Sequence, residues 1–431
     1  MDRTLSVELA SRVGEHVTIA GWLHHQRQLA NVAFVLVRDR DGITQVVVTD
    51  PSERARVAQM GPETVVEIEG KVVANQQAPS GAEVVDPVIS VVAEPAAAPP
   101  FELRRPRIDA QLPTLLDNAA VALRHPARRA VASVAAASVR GFRSVLDERA
   151  FTEVFTPKVV ASATESGAGV FPIDWFGRPA YLAQSPQFFK QTMVGVFERV
   201  YEVGPVFRAE PHATARHLAE YVSLDAELAF IRDHHDVMAV LTDVVAGMVA
   251  SVAETAAPAV ELLDLSLPVV PQEIPALGFE EAQQLIERAT GRPTVGEPDL
   301  SPADERWLGE WAMAEHGSEF LFVTGYPMSK RPFYTHPDPS HPVASNSFDL
   351  LFRGLELVTG GQRLHRYDDY VAALGGTVPD ELAHYLDAFR YGMAPHGGFA
   401  IGLERWVARI TGAANVREVT LFPRDMNRIA P

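Results

Sequence analysis

Arg208 and Glu210 stand two residues apart in the run Val206-Phe207-Arg208-Ala209-Glu210. Alternate residues of a strand share a face, so this spacing sets a guanidinium beside a carboxylate. A guanidinium can clamp a phosphate with two parallel N–H bonds, and a carboxylate can accept from an exocyclic amine. Taken alone, the pair reads first as an ordinary same-face salt bridge. Arg216-His217-Leu218 follows on a loop, and Asp225 and Glu227 come next. Lys190 is one of only four lysines in a chain that otherwise uses arginine, and a solvated surface lysine is its plain alternative. His125, His365 and His396 fall in no His-x-x-x-His or His-Glu-x-x-His spacing, so they read as structural histidines rather than ligands or bases. There is no cysteine, which removes disulfides, thiolate metal sites and cysteine nucleophiles together.

These side chains need elements to hold them. Between Val17 and Val92 the hydropathy alternates over five short segments, which predicts five strands closing as a small barrel. The OB-fold is the commonest five-stranded one. Residues 95–100 form a Pro/Ala linker that proline keeps out of regular structure. An alanine-rich helix is predicted from Pro126 to Glu148, then strands at Val200–Phe207 and Tyr221–Phe230 and helices near Asp233–Thr255 and Phe279–Thr290. Further strands are predicted at Phe320–Tyr326, Ser347–Leu351 and Gly354–Val358, with a last helix over Gly402–Thr411. Strands that follow one another without a helix between each pair predict an antiparallel α+β domain. The division is then 1–94 barrel, 95–125 linker or hinge lying on the next domain, and 126–431 catalytic domain.

The chain of 431 residues carries a net charge of −17, so contact with nucleic acid must come from placed side chains rather than a general positive field. No Gly-rich loop opens a helix, which leaves Rossmann and P-loop nucleotide sites unsupported. The first residues contain no apolar signal segment, and no run of about 18 apolar residues occurs, so a cytoplasmic protein with no membrane association is expected.

Order and spacing decide between the salt bridge and the phosphate clamp. Phe207-Arg208-Ala209-Glu210 resembles motif 2 of the class II aminoacyl-tRNA synthetases, Gly397-Gly398-Phe399-Ala400-Ile401-Gly402-Leu403-Glu404-Arg405 resembles motif 3, and the helix leading into Phe155-Thr156-Pro157 resembles motif 1. Within that class, Gln184-Ser185-Pro186-Gln187 with Lys190, the run from Gly354 to Arg363, and the ending Leu421-Phe422-Pro423-Arg424-Asp425 are similar to the aspartate enzymes. About 190 residues separate Glu210 from Gly398, so the large insertion of bacterial-type enzymes is absent and the chain resembles the compact archaeal type.

The resemblance implies ATP-dependent aspartylation of tRNA through an aspartyl-adenylate. It implies that Arg208 holds the α-phosphate, Glu210 reads the adenine amine or an ordered water, and Arg405 meets the γ-phosphate. Ala209, Arg216, His217, Leu218, Gly402, Leu403 and Glu404 would complete the ATP site, and Glu356 and Thr359 would bind Mg²⁺. In-line attack of a carboxylate on phosphorus needs alignment and charge neutralisation more than a general base. For L-aspartate, Arg363 and Lys190 would take the side-chain carboxylate. Glu165, Gln187 and Asp225 would hold the ammonium or orient those cations, with Phe188, Phe189, Arg208 and Thr359 alongside. A structural ion pair with Glu356 is the alternative for Arg363.

In this family the barrel takes the anticodon, which implies that Phe34 stacks a base and Gln45 reads a base edge; a core position is the alternative for Phe34. Enzymes strict for tRNA(Asp) tend to carry a tryptophan and a lysine where His24 and Pro79 stand here. That substitution is similar to the relaxed type, which also aspartylates tRNA(Asn) for a downstream amidotransferase. Motif 1 implies a homodimer through the alanine-rich helix, and packing of that helix within one subunit is the alternative. The motif 2 loop Pro211-His212-Ala213-Thr214-Ala215 departs from the usual, more polar pattern. The rivals are an asparaginyl-tRNA synthetase, an aspartate-activating paralogue that uses no tRNA, and a binding-only OB protein.

Overall fold

The five segments of alternating hydropathy form β1 (His16–Gln28), β2 (Ala33–Arg38), β3 (Ile43–Val48), β4 (Val65–Ala74) and β5 (Ala82–Ala93). They close in the order β1-β2-β3-β5-β4, the barrel that the pattern predicts. The structure, a computed structural model, describes residues 3–162 and 169–430. Inward residues such as Ile19, Val35, Val46, Ile68 and Val84 fill the barrel. A helix that the alternation does not predict, α1 (Pro51–Val57), follows β3; Asp50 caps it by accepting from Ser52 N and Glu53 N.

Residues 95–125, read from the sequence as a hinge lying on the next domain, group instead with the barrel in a first unit, Met1–His125. They contain two short helices, α2 (Leu112–Asp117) and α3 (Ala119–Ala122). The physical reason is an ion triad centred on the buried carboxylate of Glu63. Arg38 grips both oxygens of Glu63 at 2.8 Å, and Arg124 reaches the same carboxylate at 2.8 Å.

The second unit, Pro126–Pro431, is built on eight strands. These are β6 (Thr152–Glu153), β10 (Arg199–Phe207), β11 (Glu220–Ala229), β12 (Ala276–Gly278), β13 (Phe320–Thr324), β14 (Ser347–Phe352), β15 (Leu355–Gln362) and β16 (His396–Gly402). Their order is β12-β13-β14-β15-β16-β11-β10-β6. The centre is antiparallel as expected, whereas both edge pairs, β12/β13 and β10/β6, are parallel. A separate small sheet joins β7 (Val159–Val160), β8 (Pro172–Trp175) and β9 (Arg178–Leu182). The helices are α4 (Pro126–Glu148), α5 (Gln187–Phe197), α6 (His234–Thr255), α7 (Ala257–Leu262), α8 (Phe279–Thr290), α9 (Pro302–His316), α10 (Tyr367–Ala373), α11 (Ala383–Arg390) and α12 (Leu403–Thr411).

One face of α4, with Ala130, Val134, Ala137 and Gly141, is buried inside the chain. At Gly141 an added Cβ would lie 2.5 Å from the Gly247 carbonyl oxygen, so α4 and α6 cross backbone to backbone. Packing within the subunit, the alternative reading of this helix, therefore accounts for that face. α6 has the length and apolarity of a membrane span (22 residues, mean hydropathy 1.7). Its Val237, Leu241, Val244, Val245, Met248 and Val252 are 0% exposed, which makes it a core helix.

Candidate active site

Arg208 does not lie on a strand. β10 ends at Phe207, and Glu210 N then donates to Arg208 O at 2.8 Å in a tight turn. The alternation argument for the Arg208–Glu210 pair is thus corrected: the turn, not the pleat, brings both to one cavity. That cavity is also lined by Arg216, His217, Leu218, Tyr221, Glu356, Thr359, Gly402, Glu404 and Arg405. Most of the proposed nucleotide set converges there; Ala209 and Leu403 belong to the flanking backbone segments.

The cations of this cavity are held loosely. Arg405 Nη1 lies 3.9 Å from Glu356 Oε1 and donates to Glu356 O at 3.4 Å, while its Nε donates to Arg216 O at 3.4 Å. Arg216 reaches Glu305 at 3.4 Å, and the Arg208 guanidinium sits 5.6 Å from the Tyr221 ring centroid. Thr359 Oγ1 donates to Glu356 Oε1 at 3.2 Å. Burial pushes the Glu305 carboxyl up, and the charge of Glu356 adds to it. Asp349, opposite Thr359 in the β14/β15 register, is raised to about 6, chiefly by burial. Burial, then Arg405, holds the His217 imidazole below its usual range. Glu404 accepts from Val222 N at 3.1 and 3.2 Å, yet burial still raises it to about 7.

On the same sheet, Lys190 and Arg363 are 1% and 7% exposed. The solvated reading of Lys190 is therefore excluded. Lys190 Nζ donates to Asp225 Oδ1 at 3.0 Å and lies 3.2 Å from Glu227 Oε2. Arg363 Nε donates to Glu227 Oε1 at 3.0 Å, and Nη2 donates to Gly398 O at 3.1 Å. Arg363 thus pairs with Glu227 rather than with Glu356. Burial would raise the Glu227 carboxyl, but Arg363 and then Lys190 outweigh it and hold it below the usual range. Asp225 also accepts from Ser223 Oγ. Glycine is required at position 398, where a Cβ would stand 2.1 Å from Glu227 Oε2 and from Ala226 O.

Gln187 donates to Gln191 at 3.0 Å, and Phe188 stacks on Tyr385 at 4.2 Å. Both belong to a buried cluster beside the cations and do not line the arginine cavity; Phe189 is half-buried on the same helix, α5. Thr359 is exposed and lines the arginine cavity; in the sheet register Ala400 stands between it and Asp225, the partner of Lys190. Glu165 lies outside the described residues. The sequence reading assigned no role to Glu227, although its spacing from Asp225 on β11 was a usable signal. It missed Glu305 and Asp349 as well, which reach the site from α9 and β14 with no local motif to announce them.

In the barrel unit, Phe34 and Gln45 share the outer face. Phe34 is not part of the core cluster, against the alternative reading, and Gln45 donates to Glu83 at 2.7 Å. Pro79 is exposed in the β4–β5 turn. His24, placed with the anticodon residues by the resemblance, is buried. It sits at a bulge, 9% exposed, with Nδ1 3.5 Å from Arg38 Nη1, and burial followed by Arg38 lowers it to about 4. Of the three other histidines, His125 and His396 are hydrogen-bonded as expected, but His365 Nδ1 is buried without a partner.

Residues 111–426 match the family of tRNA synthetases class II (D, K and N), and residues 17–92 match the OB-fold nucleic acid binding domain. A Thermus thermophilus protein named aspartate–tRNA(Asp/Asn) ligase is 46% identical over 431 residues, with all of both chains covered. A Deinococcus radiodurans protein of the same name is 44% identical, covering all of this chain and 99% of the relative. Among solved structures, asparaginyl-tRNA synthetase from Pyrococcus horikoshii with asparaginyl-adenylate superposes with a TM-score of 0.93 at 31% identity, covering all of both chains. Aspartyl-tRNA synthetase from Entamoeba histolytica gives 0.88 at 29%, covering all of this chain and 93% of the other.

Proposed function

The chain belongs to the class II tRNA synthetases of the D, K and N group, and from that premise we propose that it joins L-aspartate to tRNA in two steps. In the first, an α-carboxylate oxygen of aspartate bonds to the α-phosphorus of ATP while the bond from that phosphorus to pyrophosphate breaks. In the second, a hydroxyl oxygen of the terminal tRNA ribose bonds to the activated carbonyl carbon and loses its proton, and AMP leaves. Arg208 would hold the α-phosphate through both steps and Arg405 the γ-phosphate in the first, so that charge building on the transferred group meets fixed donors. Glu210, Arg216, His217 and the Gly402–Arg405 turn would grip the nucleotide.

The observation that carries the choice of amino acid is the buried Lys190–Arg363 pair backed by Asp225 and Glu227. An aspartate side chain brings a second carboxylate to such a pair, and a neutral amide would leave a desolvated guanidinium underpaired. Glu165, Gln187 and Asp225 would address the ammonium. Glu356 and Thr359 fit a hard divalent cation such as Mg²⁺, because their oxygens lie 3.2 Å apart beside the raised carboxyls of Glu305 and Asp349. When bound, that ion neutralises charge on the phosphates.

Phe34 and Gln45 would meet the anticodon, with Pro79 at its edge. Buried His24 would act only through the strand it shapes, as a small residue where the strict enzymes carry a tryptophan. We infer the relaxed type, charging tRNA(Asp) and tRNA(Asn), which the names of the Thermus and Deinococcus relatives support. A homodimer, a cytoplasmic location and a partner amidotransferase that converts aspartyl-tRNA(Asn) complete the proposal. The likeness to the Pyrococcus asparaginyl enzyme favours asparagine activation as a second reading. Side-by-side charging of tRNA(Asp) and tRNA(Asn) transcripts with each amino acid tests both. Aspartate on both transcripts is expected, and aspartate on tRNA(Asp) alone would overturn the relaxed type. Asparagine on tRNA(Asn) would establish the second reading, and aspartate-dependent pyrophosphate exchange with no charging would establish a tRNA-independent paralogue.

A further inference from the structure

A second cavity of the same unit, about 540 Å³, shares no lining residue with the arginine cavity. Asp233, His234 and His235 at the start of α6 form one wall; His336 and Asp338, from the loop before β14, and His365, just after β15, also line it. His234 is 8% exposed, and among the described residues neither of its ring nitrogens has a hydrogen-bond partner. His365 Nδ1 is buried in the same condition, with its ring stacked over His336 at 6.2 Å. A buried polar atom left unpaired costs about 1–3 kcal/mol, and a native chain keeps one where a function, a water or an ion accounts for it.

Asp233, His234 and His235 each bring a ligand atom to within 4.8 Å of the others. Donors bonded at about 2.0–2.2 Å to one ion stand at most about 4.4 Å apart, so the three must draw together by a few tenths of an ångström or more as the ion binds. Two imidazoles and a carboxylate suit zinc-like transition cations, whereas Mg²⁺ prefers all-oxygen sets. The start of a helix is an unfavourable place for a cation. Here Asp233 caps that end by accepting from His235 N at 2.8 Å, Asp338 lines the cavity, and Arg232 is drawn off by Asp236 at 2.5 Å.

We propose that this cluster binds one zinc-type divalent cation through His234, His235 and Asp233, with His336 or Asp338 supplying a further ligand from the facing loop. Binding exchanges the 3.0 Å contact between His235 Nδ1 and Asp233 Oδ1 for bonds to the ion. It ties the loop at 336–341 to the first turn of α6.

The test uses the full chain, stripped with chelator and titrated with Zn²⁺ against a chromophoric competitor in excess Mg²⁺, which occupies hard oxygen sites. One Zn²⁺ per chain is expected, and Co²⁺ in its place should give visible d–d bands. His234→Gln and His235→Gln should each weaken binding by at least the ~10–100-fold that loss of an outer-shell partner costs. Asp338→Asn should weaken it less, and His384→Gln, at a fully exposed position, should change nothing. Because His234→Gln alters a buried residue and can misfold, the substitution at exposed His235 decides between the outcomes. No stoichiometric uptake, or uptake that His235→Gln leaves unchanged, overturns the site and leaves a buried water as the partner of His234.

Discussion

In the arginine cavity, Arg405, Arg216 and Glu356 keep 27%, 33% and 40% of their side chains exposed and touch one another at 3.4–3.9 Å. In the neighbouring cluster, Lys190, Asp225, Glu227 and Arg363 keep 2%, 2%, 0% and 9%, with contacts of 3.0–3.2 Å. The two sets use the same charges on the same sheet, but they face different tasks. Loosely held, hydrated cations can transfer to the phosphates of a large ligand at little cost. Charges already taken out of water are fixed in place, and a ligand must match them or leave one unpaired. The first arrangement suits binding and turnover, the second discrimination.

The contrast between the two sets is greatest at Lys190. Lys190→Met leaves Asp225 and Glu227 buried with one cation fewer and should cost ~3–5 kcal/mol in unfolding free energy, read from denaturant melts, along with aspartate-dependent pyrophosphate exchange. A cost below about 1 kcal/mol would mean that the cluster is not the rigid half. Arg208→Gln should do the reverse, slowing exchange by ~10²–10³, or about 3–4 kcal/mol of barrier. Its stability should move by less than about 1 kcal/mol, and a melt shifted as far as that of Lys190→Met would erase the distinction. Glu404 backs the arginine cavity, and its effect is smaller and depends on pH. Its folded value of about 7 lies above the usual 4.5. A raised carboxyl favours folding below the unfolded value and loses that contribution as pH climbs from about 4.5 through 7. Between pH 5 and 8 the native chain should therefore lose about 2 kcal/mol relative to Glu404→Gln. Parallel stability curves for the two proteins would show that Glu404 titrates normally.

Much of the scaffold was legible in the sequence because it rests on local periodicity. The barrel strands, α4 over Pro126–Glu148 and α8 over Phe279–Thr290 stand where hydropathy places them. The site was legible where residues cluster along the chain, as at 208–218 and 402–405. It was illegible where partners come from afar: Glu305 arrives from α9 and Asp349 from β14, and only the folded sheet makes them neighbours of Glu356. The docking of residues 95–125 on the barrel was hidden for the same reason, since Arg124 and Glu63 are 61 positions apart.

Gly398 limits the buried cluster from a neighbouring strand. Any side chain there would strike Glu227 and the Ala226 carbonyl, both 2.1 Å from the missing Cβ, and displace the carboxylate that holds Arg363. Loss of Glu227 would take from Arg363 the carboxylate that holds it, while Lys190 keeps Asp225. The bare backbone at 398 is thus a spacer: only a residue without a side chain leaves room for the carboxylate that holds Arg363.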